Sequence, residues 1–181
     1  MSRQAKFDHL LGVLLLGSEN HQNYAPVANS SQFSFYEGNI AYKKPSSQSS
    51  TSTIESIPLV ARFANDGNRT GVWQGCSITQ ADVTPWWQVD LTRQAAVASV
   101  QIRSGATWGQ LKINPFDVSV GDDSSNGGRN NALCVKDGKL ASGELRKFDC
   151  PQVLTGRYVS VYLNREEHLQ VCEVEVYEDV F

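Results

Sequence analysis

Hydrophobic and polar residues alternate most regularly near the carboxyl end of the chain. In RYVSVYL (157–163) Val159, Val161 and Leu163 fall on one face, and in VCEVEVY (171–177) Cys172, Val174 and Val176 oppose Glu173 and Glu175. A period of two is that of a strand half buried in a core, because successive side chains point to opposite faces. Shorter stretches of this kind are NIAY (39–42), WWQVDL (86–91), VASVQI (97–102) and FDVSV (116–120). Turn-rich segments such as GDDSSNGGRNN (121–131) separate them, and no amphipathic helix lies between to carry a parallel crossover. The pattern therefore predicts an all-β protein, an antiparallel sandwich or barrel. One helical turn or two is expected in SIPLVARFANDGN (56–68), with Ser56 as cap and Gly67 as stop. SSQSSTST (46–53) reads as an exposed low-complexity loop.

With 181 residues, 40% of them hydrophobic, the chain suits one domain with a sizeable core. The net charge of −3 is spread along it, with no basic block longer than Lys43-Lys44, which argues against a nucleic-acid partner. At the amino end, Arg3 and Lys6 precede LLGVLLLG (10–17), too short to cross a bilayer and about the length of a signal-peptide core. Residues 1–18 are thus read as a signal peptide, 19–37 as a polar linker and 38–181 as the domain; no other stretch is apolar enough for a membrane span. The cysteines at 76, 134, 150 and 172 lack the C-x-x-C spacing of a zinc site, and their even number points to disulfides and an extracellular, oxidising compartment.

Catalytic signatures are missing: the chain has no G-x-S-x-G, no H-E-x-x-H, no phosphate-binding loop and no glycine-rich dinucleotide fingerprint. Asp122-Asp123 and Glu166-Glu167 are adjacent pairs in loops, whose side chains point apart into water, and His168 has no Ser or Cys at a spacing that makes a relay. A binding protein is expected, not an enzyme.

Four motifs carry a resemblance. ANDGNRTGVWQGCS (64–77), PWWQVDL (85–91), GRYVSVYL (156–163) and LQVCEVEVY (169–177) occur in the order of the F-type lectins, or fucolectins, and the likeness covers about residues 38–177. It implies a jelly-roll-like antiparallel β-sandwich of the discoidin or galactose-binding type, secretion, bound Ca²⁺ and recognition of fucosylated glycans. It also implies disulfides Cys76–Cys172 and Cys134–Cys150. The family's metal ligands map onto the carbonyls of Phe63, Asn68 and Gly75 and the carboxylates of Asp66 and Glu173, a set of hard oxygens that suits calcium. Gly75 departs from the usual serine and offers only its carbonyl.

The sugar site departs further. The family histidine two residues after the loop cysteine is Ile78, which has no donor; the first basic position falls on Gly105, with Arg103 two residues early, and the second on Lys112. An adjacent cysteine pair is replaced around Thr107 and Trp108. The expectation is a lectin of altered specificity, with Trp73 and Trp108 as stacking surfaces, Lys112 and Arg103 as donors and Ile78 as an apolar wall, in which Ile78→His restores a donor. The alternative is an adhesion module whose sugar pocket has lapsed and whose partners are proteins. Homo-oligomers are expected where single sites are weak. Asn68-Arg69-Thr70 and Asn29-Ser30-Ser31 are N-glycosylation sequons.

Overall fold

A computed structural model of the chain describes residues 38–106 and 113–179. The expected signal peptide and linker, and Thr107, Trp108 and Lys112, lie outside the described residues. Ten strands form: β1 Ser46–Gln48, β2 Thr53–Ile54, β3 Ile57–Pro58, β4 Ser77–Asp82, β5 Trp86–Arg103, β6 Phe116–Gly121, β7 Ala132–Gly138, β8 Leu145–Tyr162, β9 Glu167–Val171 and β10 Glu173–Glu178. The main sheet runs β1-β5-β8-β6-β7, with β10 on the second half of β5, and β4 pairs with β9. Every pairing is antiparallel. Among the described residues there is no α-helix; 3₁₀ turns at Ala61–Ala64, Trp73–Gly75 and Ser125–Gly128 are the helical elements. The expected all-β architecture is the observed one.

WWQVDL and VASVQI belong to one strand. The register of β5 against β8 shifts between Asp90 and Ala95, where Thr92 takes a φ of +67° and donates its N–H to Asp90 Oδ1 at 2.7 Å. Trp87, Val89 and Leu91 point into the core with Val118, Val120, Val159, Val161 and Val174, while Trp86, Gln88 and Asp90 point the other way. That alternation buries one tryptophan of the pair fully, and its Nε1–H donates to the Ala61 carbonyl at 2.9 Å, which pins the first 3₁₀ turn to the sheet.

Several sequence expectations are corrected. NIAY is a turn: Asn39 makes an isolated bridge to Tyr177, and its Oδ1 accepts from Ala41 and Val176. The serine-rich 46–53 segment supplies β1, and Ser49 and Ser50 both donate to the Asp82 carboxylate, so local composition is overridden by pairing. Ser56 does not cap a helix, since it sits at φ +66° between β2 and β3. VCEVEVY breaks at Cys172, whose N–H turns to the Arg103 carbonyl at 3.0 Å. Glu173 and Glu175 are fully buried, not solvent-facing. The disulfides Cys76–Cys172 and Cys134–Cys150 form as expected.

On the outer face of the main sheet, the loop after β6 folds back over the strands. Gly127 and Gly128 approach Trp86, Gln88 and Ser160 so closely that a Cβ would meet Trp86 Cγ or Ser160 Oγ. Ser119 Oγ donates to the Gly128 carbonyl at 2.7 Å, and Arg129 stacks 4.3 Å from the Tyr162 ring centre.

Candidate functional site

Three chain segments meet around the Cys76–Cys172 disulfide: residues 63–76, the end of β5 with residues 104–106, and the junction of β9 and β10. Backbone bonds hold them in register, Ala106 N–H to the Gly71 carbonyl at 2.9 Å and Gly143 N–H to the Gly105 carbonyl at 2.9 Å among them. Leu59, Trp73, Cys76, Ile78 and Cys172 form a small apolar cluster beneath, with Phe63 packed against it.

Asp66, Gly67 and Asn68 make a tight turn in which Asp66 Oδ1 accepts from the Asn68 N–H at 2.8 Å. Gly67, at φ +89°, has the left-handed backbone that a side chain disfavours, and its N–H points at both oxygens of Glu173, each 3.2 Å away. Glu173 is fully buried; burial, and then the negative charge of Asp66, push its carboxyl up to about 8. The Gly67 N–H and the charge of Arg69, which is itself paired with Glu175 through Nε and, at 2.7 Å, through Nη2, offset this only in part. Glu173 thus holds its carboxyl within reach of the negative charge of Asp66.

This arrangement fits a hard divalent cation. Among the described residues no group of three or more His, Cys, Asp or Glu side chains gathers, so a cation held here would need carbonyl ligands as well. Those of Phe63, Asn68 and Gly75 accept no hydrogen bond from another element among the described residues. Gly75 lies against the Asn68 carboxamide, where a Cβ would come within 2.6 Å of Nδ2, which closes the loop onto itself. The five sequence-predicted metal positions are therefore gathered in one place.

The predicted sugar positions are only partly so. Ile78 is 1% exposed, packed in the apolar cluster, and pairs with Gln170 across β4 and β9. Trp73, expected as a stacking surface, is buried in the same cluster and packs the loop from below. Arg103 lies against Gly71; its Nη2 donates to the Thr70 carbonyl at 3.3 Å, and its Nε is buried with no partner among the described residues.

Gln170 was not anticipated. A Cβ on Gly105 would fall within 2.6 Å of its carboxamide atoms, so Gln170 occupies the volume that a side chain at 105 needs. It is 2% exposed, and its Nε2 has no partner among the described residues. The available signal was a lone amide inside the apolar LQV of β9, a position that alternation leaves ambiguous next to Cys172.

Residues 63–161 match the NedA-like, galactose-binding domain family. Fucolectin-4 of Anguilla japonica is 40% identical over 144 residues, 78% of this chain and 80% of that protein. The chain belongs to the fucolectin family, the F-type lectins. Among solved structures, the fucolectin from striped bass (Morone saxatilis) serum superposes with a TM-score of 0.70 and 34% identity, covering 79% of this chain; this chain spans 48% of that lectin. A Streptococcus pneumoniae fucose binding module superposes with a TM-score of 0.64 and 31% identity over 78% of this chain and 95% of the module. In this chain Ile78, Gly105 and Gln170 are neighbours, and none of the three carries a charge.

Proposed function

We propose that this fucolectin-family domain is a secreted, calcium-holding lectin that binds fucosylated or related glycans with altered specificity. Two observations support the reading: beside the Cys76–Cys172 clamp, Glu173 is buried under the Gly67 N–H and within reach of the charge of Asp66, and Gln170 fills the space over Gly105. Bound Ca²⁺ would supply the positive charge those carboxylates lack and hold the 63–75 loop on β10. Asp66, Glu173 and the carbonyls of Phe63, Asn68 and Gly75 would hold it.

Recognition then falls to donors that the fold leaves unpaired. Gln170 Nε2 and Arg103 Nε flank the 103–106 segment and each retains a hydrogen to give. A buried donor without a partner costs stability, and a ligand oxygen that accepts from it recovers that cost on binding. A neutral amide in place of a family arginine favours a neutral hydroxyl or ring oxygen and gives up the stronger charge-assisted contact. Export fits the two disulfides and the hydrophobic run at 10–17. The relatives reported above carry lectin names.

One observation favours a second reading. Ile78 and Trp73 are both buried, so the loop end presents less ligand surface than its sequence promised, which suits an adhesion module with protein partners. Titration calorimetry of L-fucose into calcium-loaded protein separates specificities: weak or absent heat is expected, and tight binding of the free monosaccharide overturns the altered-site reading.

A further inference from the structure

The Trp86-Trp87 pair divides between two faces of the main sheet, and the outer half is not accounted for by the loop end. Trp86, Gln88 and Asp90 of β5 stand beside Tyr158 of β8, Ser47 of β1 and Ser124 of the β6–β7 loop, and together they line an open cleft of about 370 Å³. This volume is at the low end of the roughly 300–1,000 Å³ of small-ligand sites, the scale of a mono- or disaccharide. The cleft lies at the Trp86 end of β5, and the loop site lies at its Arg103 end.

Its polar groups are open in a way that ordinary surface packing does not require. Gln88 is 5% exposed; its Nε2 donates to Ser160 Oγ at 3.0 Å, while its Oε1 accepts nothing. The Trp86 indole N–H and the hydroxyls of Tyr158, Ser47 and Ser124 have no hydrogen-bond partner among the described residues. Gly127 presses on Trp86 and holds the ring in place. The carboxylate of Asp90 is already engaged: Arg157 forks onto it at 2.7 Å through both Nε and Nη2, Thr92 donates its N–H, and the Arg157 bond holds the Asp90 carboxyl below its ordinary range. The cleft therefore offers two aromatic rings, a fixed amide acceptor, an indole donor and hydroxyls that serve as either, with its ionic pair internally balanced.

We infer that this outer-face cleft is a second binding site, for the pyranose ring of a neutral sugar. A pyranose has one flat C–H face that lies on an aromatic ring and a rim of hydroxyls that both donate and accept, which matches this mixture; an anionic ligand finds no free cation here. Two sites at opposite ends of β5 would let one domain bridge two glycan chains without a second copy of itself.

The test is a heteronuclear NMR titration of the calcium-loaded domain with methyl pyranosides of glucose, galactose, mannose, fucose, N-acetylglucosamine and N-acetylgalactosamine. The Trp86 indole N–H, assigned through Trp86→Phe, reports the cleft directly. At least one sugar is expected to shift this resonance and the amides of Gln88, Asp90 and Tyr158 saturably at millimolar concentration. Tyr158→Ala should weaken that response roughly tenfold, the effect of losing one stacked ring. Ser47→Trp, at an exposed edge position that leaves the core untouched, should block it, and Gln170→Leu should leave it unchanged. No shift with any sugar at tens of millimolar, or a shift that survives Ser47→Trp in a folded protein, overturns the site. Loss of the loop-end site alone would appear as a different set of resonances, around residues 70–73, 103–106 and 170.

Discussion

Gln170 carries an amide nitrogen that no atom of the described residues accepts from, in a strand where its neighbours are Leu169 and Val171. An unsatisfied buried donor costs roughly 1–3 kcal/mol, and replacing it with an apolar group of similar shape removes that cost. Gln170→Leu should therefore raise stability in denaturant unfolding by about 1 kcal/mol while glycan binding at the loop end falls, a pair of opposite effects that a purely structural residue does not produce. Ile78 behaves in the other sense. Its side chain is 1% exposed among Leu59, Trp73 and the disulfide, so Ile78→His puts an imidazole into an apolar cluster and should cost roughly 1–3 kcal/mol. The sequence alone led to the expectation that this substitution restores a fucose contact. With Gln170 filling the space beside Gly105, recovery should require Ile78→His together with Gln170→Ala, and calorimetry on the single and double variants checks it.

At the scale of elements, the strands that alternate cleanly were legible and those exposed on both faces were not. FDVSV and RYVSVYL lie within β6 and β8 because their valines meet in the core. β7 and the first half of β8 were missed: Lys136, Asp137, Arg146, Lys147 and Asp149 are all exposed there, and the only alternation is the short one that turns Phe148 and Cys150 inward. β7 pairs with β6 and the first half of β8 with β5; the Cys134–Cys150 bond ties the two together, and Phe148 is set edge-on to Phe116 at 5.5 Å. Of the candidate site, the turn from Asp66 to Asn68 was legible in one short stretch of sequence, and what fills the space beside Gly105 was not. The two disulfides differ in reach, spanning 96 and 16 residues. In the chain-entropy model these correspond to about 4–5 and about 3 kcal/mol. A Cys76→Ala, Cys172→Ala variant should thus lose more in unfolding than Cys134→Ala, Cys150→Ala. It should also lose calcium affinity, because Cys172 is the residue before Glu173 and Cys76 the residue after Gly75.

Considered as a whole, the domain is a β-sandwich with a charge imbalance at one end, where Glu173 is buried beside Asp66. A carboxyl held at about 8 when folded and at its ordinary value of 4.5 when unfolded binds its proton more tightly in the folded state. Its stabilising contribution is therefore complete below the unfolded value and is lost as pH rises through about 8. Chelated protein should melt at a lower temperature at pH 8 than at pH 5 on account of this group, Glu173→Gln should flatten the difference, and millimolar Ca²⁺ should raise the melting temperature at pH 8. Asp66→Ala should abolish the calcium effect, since a ligand stabilises only as far as it binds the folded state. In the proposed reading, bound calcium would link the stability of the sheet to the 63–75 loop. The most direct measurement is binding of the full chain to a printed glycan array in calcium and again after chelation. Retained signal on a restricted set of fucosylated or related glycans, lost on chelation and recovered with Ca²⁺, is the predicted result; no glycan bound in either condition, or binding indifferent to the chelator, would contradict the account.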